Sequence, residues 1–397
     1  MKYLFLIMLI GCTSYYQQEE EVYSEPENKN VLLIVVDELS IKVLNSYDYP
    51  LIWAKKPNTP NIDWLANNGL VYENHYATSP VCTASRAALF TGKTPRDIGV
   101  FINQDSIGNE STIAHDMLDK GYKTGYVGKW HLNGEETPGF NMNNHGFDND
   151  SVMFNRGHFK QMKNVADTIF YSYDVDNENP HTYTTNYLTN KLINRLYGKS
   201  WFYVLSLPDP HGKNNVLSDY ENRYLNLSYP DTVDNSSLPY WAQPEANIIT
   251  QNGLSKYFGM VEMIDDNIGK ILDHLRDSNE LDNTIIIFTA DHGDMLGEHH
   301  RDNKGVPFDG SAKIPLIVYG IGSGIVDGYS SNKEVRSMIS EIHQGNYYTI
   351  PNSVVHTYMH DKWEAFIEDG IKTIYTPDED TVVYNLVNDP MEYINVY

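Results

Sequence analysis

Cysteine is nearly absent from this chain: Cys12 and Cys82 are the two that occur in 397 residues. Positive charge is also scarce, with 29 Lys and Arg against 53 Asp and Glu and a formal net charge of −24. That balance excludes nonspecific nucleic-acid binding, because a phosphate backbone is held by clustered cations. An anionic small substrate would need the cations gathered locally. Long apolar runs are missing too, since the one at the amino terminus is too short to span a bilayer. No internal repeat or low-complexity tract occurs. A chain of this length can bury a large core, so one big α/β domain with an appendage is expected.

The amino terminus reads "MKYLFLIMLIGCTSYYQQEEEVYSEPENKN", one Lys, a short apolar run, then Gly11 and Cys12. This is the layout of an export signal. The "LIGC" end resembles a bacterial lipobox, in which Cys12 becomes the acylated first residue; a plain cleaved signal peptide is the alternative. Residues 1–29 are therefore expected to be a lipoprotein-type signal and a polar tether. The expectation is a periplasmic or cell-surface protein that meets the membrane only through its lipid anchor. With Cys12 lipidated or removed, no intramolecular disulfide is available and Cys82 stands alone. A lone cysteine is ordinarily an inert core residue, so its neighbours must decide its meaning.

"NVLLIVVDE" (30–38) is a continuous β-branched and apolar run ending in acids, as expected of a parallel strand buried on both faces. "WFYVLSL" (201–207), "NTIIIFTADHG" (283–293) and "IPLIVYG" (314–320) read the same way. Between them lie helical patterns. "TPNIDWLANNG" offers Thr59 as cap, Pro60 at the first position and Gly69 as stop. Segment 255–276 places Tyr257, Val261, Ile264, Ile268, Leu272 and Leu275 on one stripe. The alternation predicts an α/β fold, a mostly parallel central sheet flanked by helices. A catalytic domain over 30–320 is expected, then a small, shortened α+β subdomain over 321–397.

Ligands of such sheets sit outside the carboxyl ends of the strands, and there the candidate residues fall. Asp37 and Glu38 end the first run, Asp209 and His211 follow the second, and Asp291 and His292 follow the third. Adjacent residues of a regular strand point to opposite faces, so Asp37 and Glu38 share one ion only if the backbone turns. Asp37, Glu38, Asp291 and His292 offer oxygen-rich ligation with one imidazole, which suits a hard cation such as Ca2+ or Mg2+. In "GYVGKWHL", Lys129 and His131 project from one face of an extended segment and Trp130 from the other. A helix beginning near Cys82 would stack Cys82 and Arg86 at i and i+4. Its amide groups would favour an anion and depress the thiol pKa. The bland alternative is a core Cys beside a structural Arg.

Taken in order, these segments resemble the formylglycine-dependent sulfatases of the alkaline phosphatase superfamily. "NVLLIVVDE" is similar to their opening metal-binding strand, and "SPVCTASRAALFTGK" to the signature whose cysteine is oxidised to formylglycine. "GYVGKWHL", "PDPHG", "TADHGDMLGEHH", "KGVPFDGSAKIPLIV" and "VVYNLVNDPMEYIN" follow in the family's order. The resemblance implies that Cys82 becomes an aldehyde and hydrates, and that one hydroxyl attacks the sulfur of a sulfate ester and releases the alcohol. The second hydroxyl then loses its proton and expels sulfate. It implies Asp37, Glu38, Asp291, His292 and the modified Cys82 as ligands of Ca2+, with Mg2+ possible. Arg86 and Lys129 match the positions that hold the formylglycine hydroxyls, and His131 the one that assists expulsion of sulfate. His211 and Lys304 match those contacting sulfate and the departing oxygen, and either would protonate the leaving group. Arg156 and His158, in "FNRGH", are further substrate-binding candidates. The sequence departs from the family pattern at Glu38, where Asp is usual, at Ala84, where many members have Pro, and in a short carboxyl-terminal part.

The function so implied is hydrolysis of sulfate esters, of sulfated carbohydrates in particular, after Cys82 is converted by a formylglycine-generating maturation enzyme. "GFDNDSVMFNRGH" and "DPHGKNNVLSDYENRY" are the expected specificity segments. A phosphonate or phosphate ester hydrolase of the same superfamily and a noncatalytic sulfated-glycan binding protein are the competing readings.

Overall fold

The computed structural model describes residues 28–50, 53–140, 144–148, 152–166, 168–227, 251–350, 354–378 and 381–397. Cys12 and the expected signal lie outside the described residues. The strands are β1 Asn30–Asp37, β2 Gly69–Tyr76, β3 Lys123–Lys129, β4 Val152–Phe154, β5 Gln161–Val165, β6 Thr168–Ser172 and β7 Trp201–Pro210. They continue with β8 Thr284–Ala290, β9 Leu316–Tyr319, β10 Gly324–Ser331, β11 Val355–Met359, β12 Trp363–Glu368, β13 Ile371–Tyr375 and β14 Thr381–Asn385.

β1 explains the architecture. All eight of its residues are buried, and alternate side chains serve two different cores. Leu32, Ile34 and Val36 join one with Ile62, Leu188 and the long helix Gln251–Asp277. Val31, Leu33 and Val35 join the other with Phe90, Met117 and Met338. A strand sandwiched between two helical layers must be apolar on both faces, which is why its sequence runs instead of alternating. The eight-stranded sheet has the order β10-β2-β9-β8-β1-β7-β3-β4. β9 is antiparallel to both neighbours and the other pairs are parallel. β5 and β6 form a separate antiparallel pair, and β11 to β14 a small antiparallel sheet. The expected α/β class is thus the observed one.

The domain boundary expected at 320/321 does not coincide with the start of the small sheet. β10 pairs in parallel with β2 at the edge of the main sheet. The helix Val335–Ile342 buries Val335, Met338, Ile339 and Ile342 in the second core. Thr59 caps the helix Pro60–Asn67 by position only, with no side-chain capping bond. Asp265 from the long helix accepts from Asn61 N at 2.9 Å and Ile62 N at 2.7 Å instead. Among the described residues, no helix is long and apolar enough to cross a membrane.

Candidate active site

The carboxyl ends of β1, β3, β7 and β8 meet the start of the helix Cys82–Thr91. Asp37 ends β1, and at Glu38 the backbone enters the left-handed region (φ 62°), the turn that brings both acids to one side. Glu38 N then donates to Asp291 Oδ1 at 3.0 Å, stitching the first and third strand ends together. β3 approaches β7 closely at Gly128, where a Cβ would stand 1.8 Å from Ser206 O. A residue without a side chain is therefore required immediately before Lys129.

One group of ligand atoms is compact. Asp37, Cys82, Asp291 and His292 are all buried, and one ligating atom from each lies within 4.8 Å of the others. Cys82 Sγ stands 3.1 Å from His292 Nε2. His292 Nδ1 faces Gly293 O at 3.0 Å, so this nitrogen is the donor and Nε2 offers its lone pair to the cluster. Lys129 Nζ donates to Asp37 Oδ2, and Arg86 Nε to Asp291 Oδ2 at 2.8 Å. Each carboxylate is left with Oδ1 toward the cluster, and Asp37 Oδ1 is buried with no hydrogen-bond partner among the described residues. An anionic acceptor held dry and unpaired is costly, and a divalent cation would satisfy it. The two carboxylates fit a hard cation, and position 82 fits one once its sulfur is replaced by oxygen. Glu38 is not in this group: its carboxylate faces Lys304 Nζ at 2.9 Å and His211 Nδ1 at 3.2 Å.

Cations ring the cluster. Arg86 Nη1 donates to Lys129 O and to Ser206 Oγ, both at 2.8 Å. Lys129 Nζ also meets His158 Nε2 at 2.8 Å, and Lys304 Nζ meets His211 Nε2 at 2.6 Å. The His158 and His211 rings stack, 3.6 Å between centroids and 5° between planes. His131 has φ 62° and is 4% exposed, and neither ring nitrogen has a partner among the described residues. Its neighbour Trp130 turns away into an aromatic cluster with Phe90, Tyr126 and Phe147, as the extended reading requires.

The electrostatics divide the groups. Burial works against the charge of Asp37, but Lys129, His211 and Arg86 outweigh it and hold the carboxyl well below the usual range. Burial pushes Glu38 up to about 7 against the pull of Lys304. Burial, reinforced by nearby cations, holds His131 and His211 well below the ordinary imidazole range. Burial opposes the charge of Lys304, yet Cys82, Glu38 and Asp37 raise its pKa, so it stays an ammonium. The expected depression of the thiol pKa is not found. Burial pushes Cys82 up to about 11, and neither Lys304 nor Lys129 reverses this. A fully desolvated sulfur outweighs the helix start.

All the sequence-predicted groups except Cys12 are placed, and Arg156 alone of them stands back, half-buried and felt by His131 through its charge. Two contributors were not anticipated. Ser206 anchors Arg86, and Lys160 Nζ holds Asp209 Oδ1 at 2.6 Å and His211 O at 3.3 Å, fixing the loop that carries His211. Lys160 lies two residues beyond His158 in "RGHFK", so extended-chain periodicity was the available signal.

The Sulfatase family model matches residues 29–340. An arylsulfatase of Clostridium perfringens is 28% identical over 386 residues, covering 82% of this chain and 76% of that protein. An N-acetylglucosamine-6-O-sulfatase of Bacteroides thetaiotaomicron is 25% identical over 376 residues, covering 74% of this chain and 63% of the relative. A solved structure in complex with its substrate D-glucosamine-2-N,6-O-disulfate superposes with a TM-score of 0.75 at 19% identity, covering 93% of both chains.

Proposed function

The chain belongs to the sulfatase family, and on that footing we propose that it hydrolyses sulfate esters of carbohydrates at the cluster around Cys82. One observation carries the reading. The family's modifiable cysteine sits at a helix mouth, 3.1 Å from His292 Nε2, inside a ring of Arg86, Lys129 and Lys304. A chain of net charge −24 has assembled there the local positive charge that a sulfate ester needs.

Formylglycine made from Cys82 supplies, once hydrated, an oxygen nucleophile for sulfur and a route for releasing sulfate without a separate water attack. A divalent cation, Ca2+ or Mg2+, would be held by Asp37, Asp291, His292 and the modified Cys82, with Glu38 at its margin, and would polarise sulfate oxygens. Arg86 and Lys129 fix the carboxylates through their Oδ2 atoms and present charge to the residue at position 82. His131, neutral and unpaired, is free to accept a proton as sulfate departs. Lys304 keeps its proton on Nζ, hydrogen-bonded to His211 Nε2, so the pair supplies a proton to the leaving oxygen. His158, in contact with Lys129 and stacked on His211, is the substrate-side candidate of "FNRGH", with Arg156 behind it. The relatives named above act on sulfated sugars or aryl sulfates, which supports the same class here. Maturation by a formylglycine-generating enzyme and export with acylated Cys12 complete the proposal.

The test compares aryl sulfate, phosphate and phosphonate esters at matched leaving groups, using protein co-expressed with a formylglycine-generating enzyme. Preferred turnover of the sulfate ester supports the reading. A preference for phosphorus esters favours the phosphonate or phosphate hydrolase, and glycan binding without turnover of any ester favours a binding protein.

A further inference from the structure

Beside the cluster lies a cavity of about 380 Å³ lined by Glu38, His211, Lys213, Asn214, Lys256 and Asn303 among others. That volume is within the range of about 300–1,000 Å³ typical of small-molecule sites. It is continuous with the reaction centre through Glu38 and His211. Two lysines on its wall stand out. Acids outnumber cations 53 to 29 in this chain, yet neither Lys213 nor Lys256 has a carboxylate partner among the described residues. Lys256 Nζ reaches the neutral amide oxygen Asn215 Oδ1 at 3.3 Å. Lys213 Nζ stands 5.3 Å from the centroid of the Tyr173 ring. A cation over an aromatic face is oriented without being neutralised. The wall also carries three acids, each engaged elsewhere: Glu38 with Lys304, Asp294 with the backbone N–H groups of Leu296 and Asn303, and Asp302 in an interaction of its own.

We propose that Lys213 and Lys256 form a second anion subsite, which holds a further sulfate or carboxylate of the substrate while the scissile sulfate sits at Cys82. Tyr173 acts as a positioning residue for Lys213. The enzyme is on this account selective for carbohydrates bearing at least two anionic groups. The subsite rests on the sulfatase reading for its neighbour; its two lysines are separate from the catalytic groups, while the cavity wall shares Glu38 and His211 with them.

The test uses hydrolysis of an aryl monosulfate as reporter and three competitors at constant ionic strength, in both a glucosamine and a galactose series. These are a monosulfated sugar, its disulfated counterpart, and a monosulfated disaccharide carrying a uronate. Wild type is expected to bind at least one two-anion competitor about tenfold more tightly than the one-anion sugar, the scale of one charge-assisted hydrogen bond. Whichever of the two competitors gains shows whether the subsite prefers sulfate or carboxylate. Lys213→Met and Lys256→Met are expected to remove most of that preference, leaving kcat and KM for the aryl sulfate within about twofold. Tyr173→Ala should weaken the preference and Tyr173→Phe restore it. No preference in wild type in either series, or an equal loss for one-anion and two-anion competitors, overturns the proposal. If the aryl sulfate is not turned over at all, the proposed function has failed instead. The subsite is then read by calorimetry of the same competitors on protein retaining the Cys82 thiol.

Discussion

The imidazole of His158 lies face to face with that of His211, at 3.6 Å between centroids, and joins two ion pairs built on adjacent acids at the end of β1. His158 contacts Lys129, the partner of Asp37, and His211 contacts Lys304, the partner of Glu38. The stack thus sets the spacing of the two ammonium groups. Removing it with His158→Ala is expected to lower kcat/KM for an aryl sulfate by about 10–100-fold, the usual cost of losing a partner that orients site residues. His158→Phe keeps the ring face but not the contact with Lys129. It should preserve Tm while recovering little of the rate.

The unpaired, buried Asp37 Oδ1 leads to the expectation that a divalent cation stabilises the protein. Calcium at about a hundredfold excess over its Kd should stabilise the native state by about 2.7 kcal/mol, and a chelator should reverse the gain. Asp37→Asn should respond far less to the ion, whatever its own baseline. Differential scanning calorimetry with Ca2+, Mg2+ and chelator measures this, and an equal shift in both proteins would contradict the assignment.

Much of this site was legible because strand ends and helix starts are local features. The apolar runs of β1 and β8 announce their burial, and Asp37 and Asp291 are read directly as the acids at their ends. Cys82 and Arg86 share a helical face by spacing alone, and the resemblance supplied their roles. What was not legible depends on packing between distant segments. The Cys82 pKa is set by how completely the sulfur is enclosed, 1% exposed, and not by its sequence neighbours. Glu38 turns to Lys304 and His211, a choice decided by residues far along the chain. β10 escaped notice because "GIVDGYSS" is a half-exposed edge strand with two glycines, so it carries no continuous apolar run. Asp265 displaced Thr59 as the capping group because the long helix passes directly over the helix start.

The carboxyl-terminal segment is tied to the main domain by a buried ion network. Lys372 Nζ meets Asp309 Oδ1 at 2.5 Å and Glu392 Oε1 at 2.6 Å, and all three side chains are enclosed. Lys372→Met strands two carboxylates without their cation. A loss of about 3–5 kcal/mol is expected in urea unfolding. The double variant Lys372→Met with Glu392→Gln should recover part of it.

Asp265 gives the stability a pH dependence of definite sign. Burial, only partly offset by the N–H groups of Ile62 and Asn61, raises its carboxyl to about 6 from 3.8. The folded state therefore binds the proton more tightly than the unfolded chain. This contribution is fully present below pH about 3.8 and is lost as pH rises through about 6. The difference in Tm between wild type and Asp265→Asn should accordingly shift toward the variant between pH 4 and 6. A difference that stays constant over this window would contradict the assignment.

The central claim concerns Cys82, and mass spectrometry of its peptide tests it most directly when paired with turnover of a chromogenic aryl sulfate by the same preparation. The account predicts an aldehyde at position 82 in protein co-expressed with a formylglycine-generating enzyme, with activity proportional to the converted fraction and none in Cys82→Ala. Full conversion to the aldehyde with every sulfate ester left intact would contradict it.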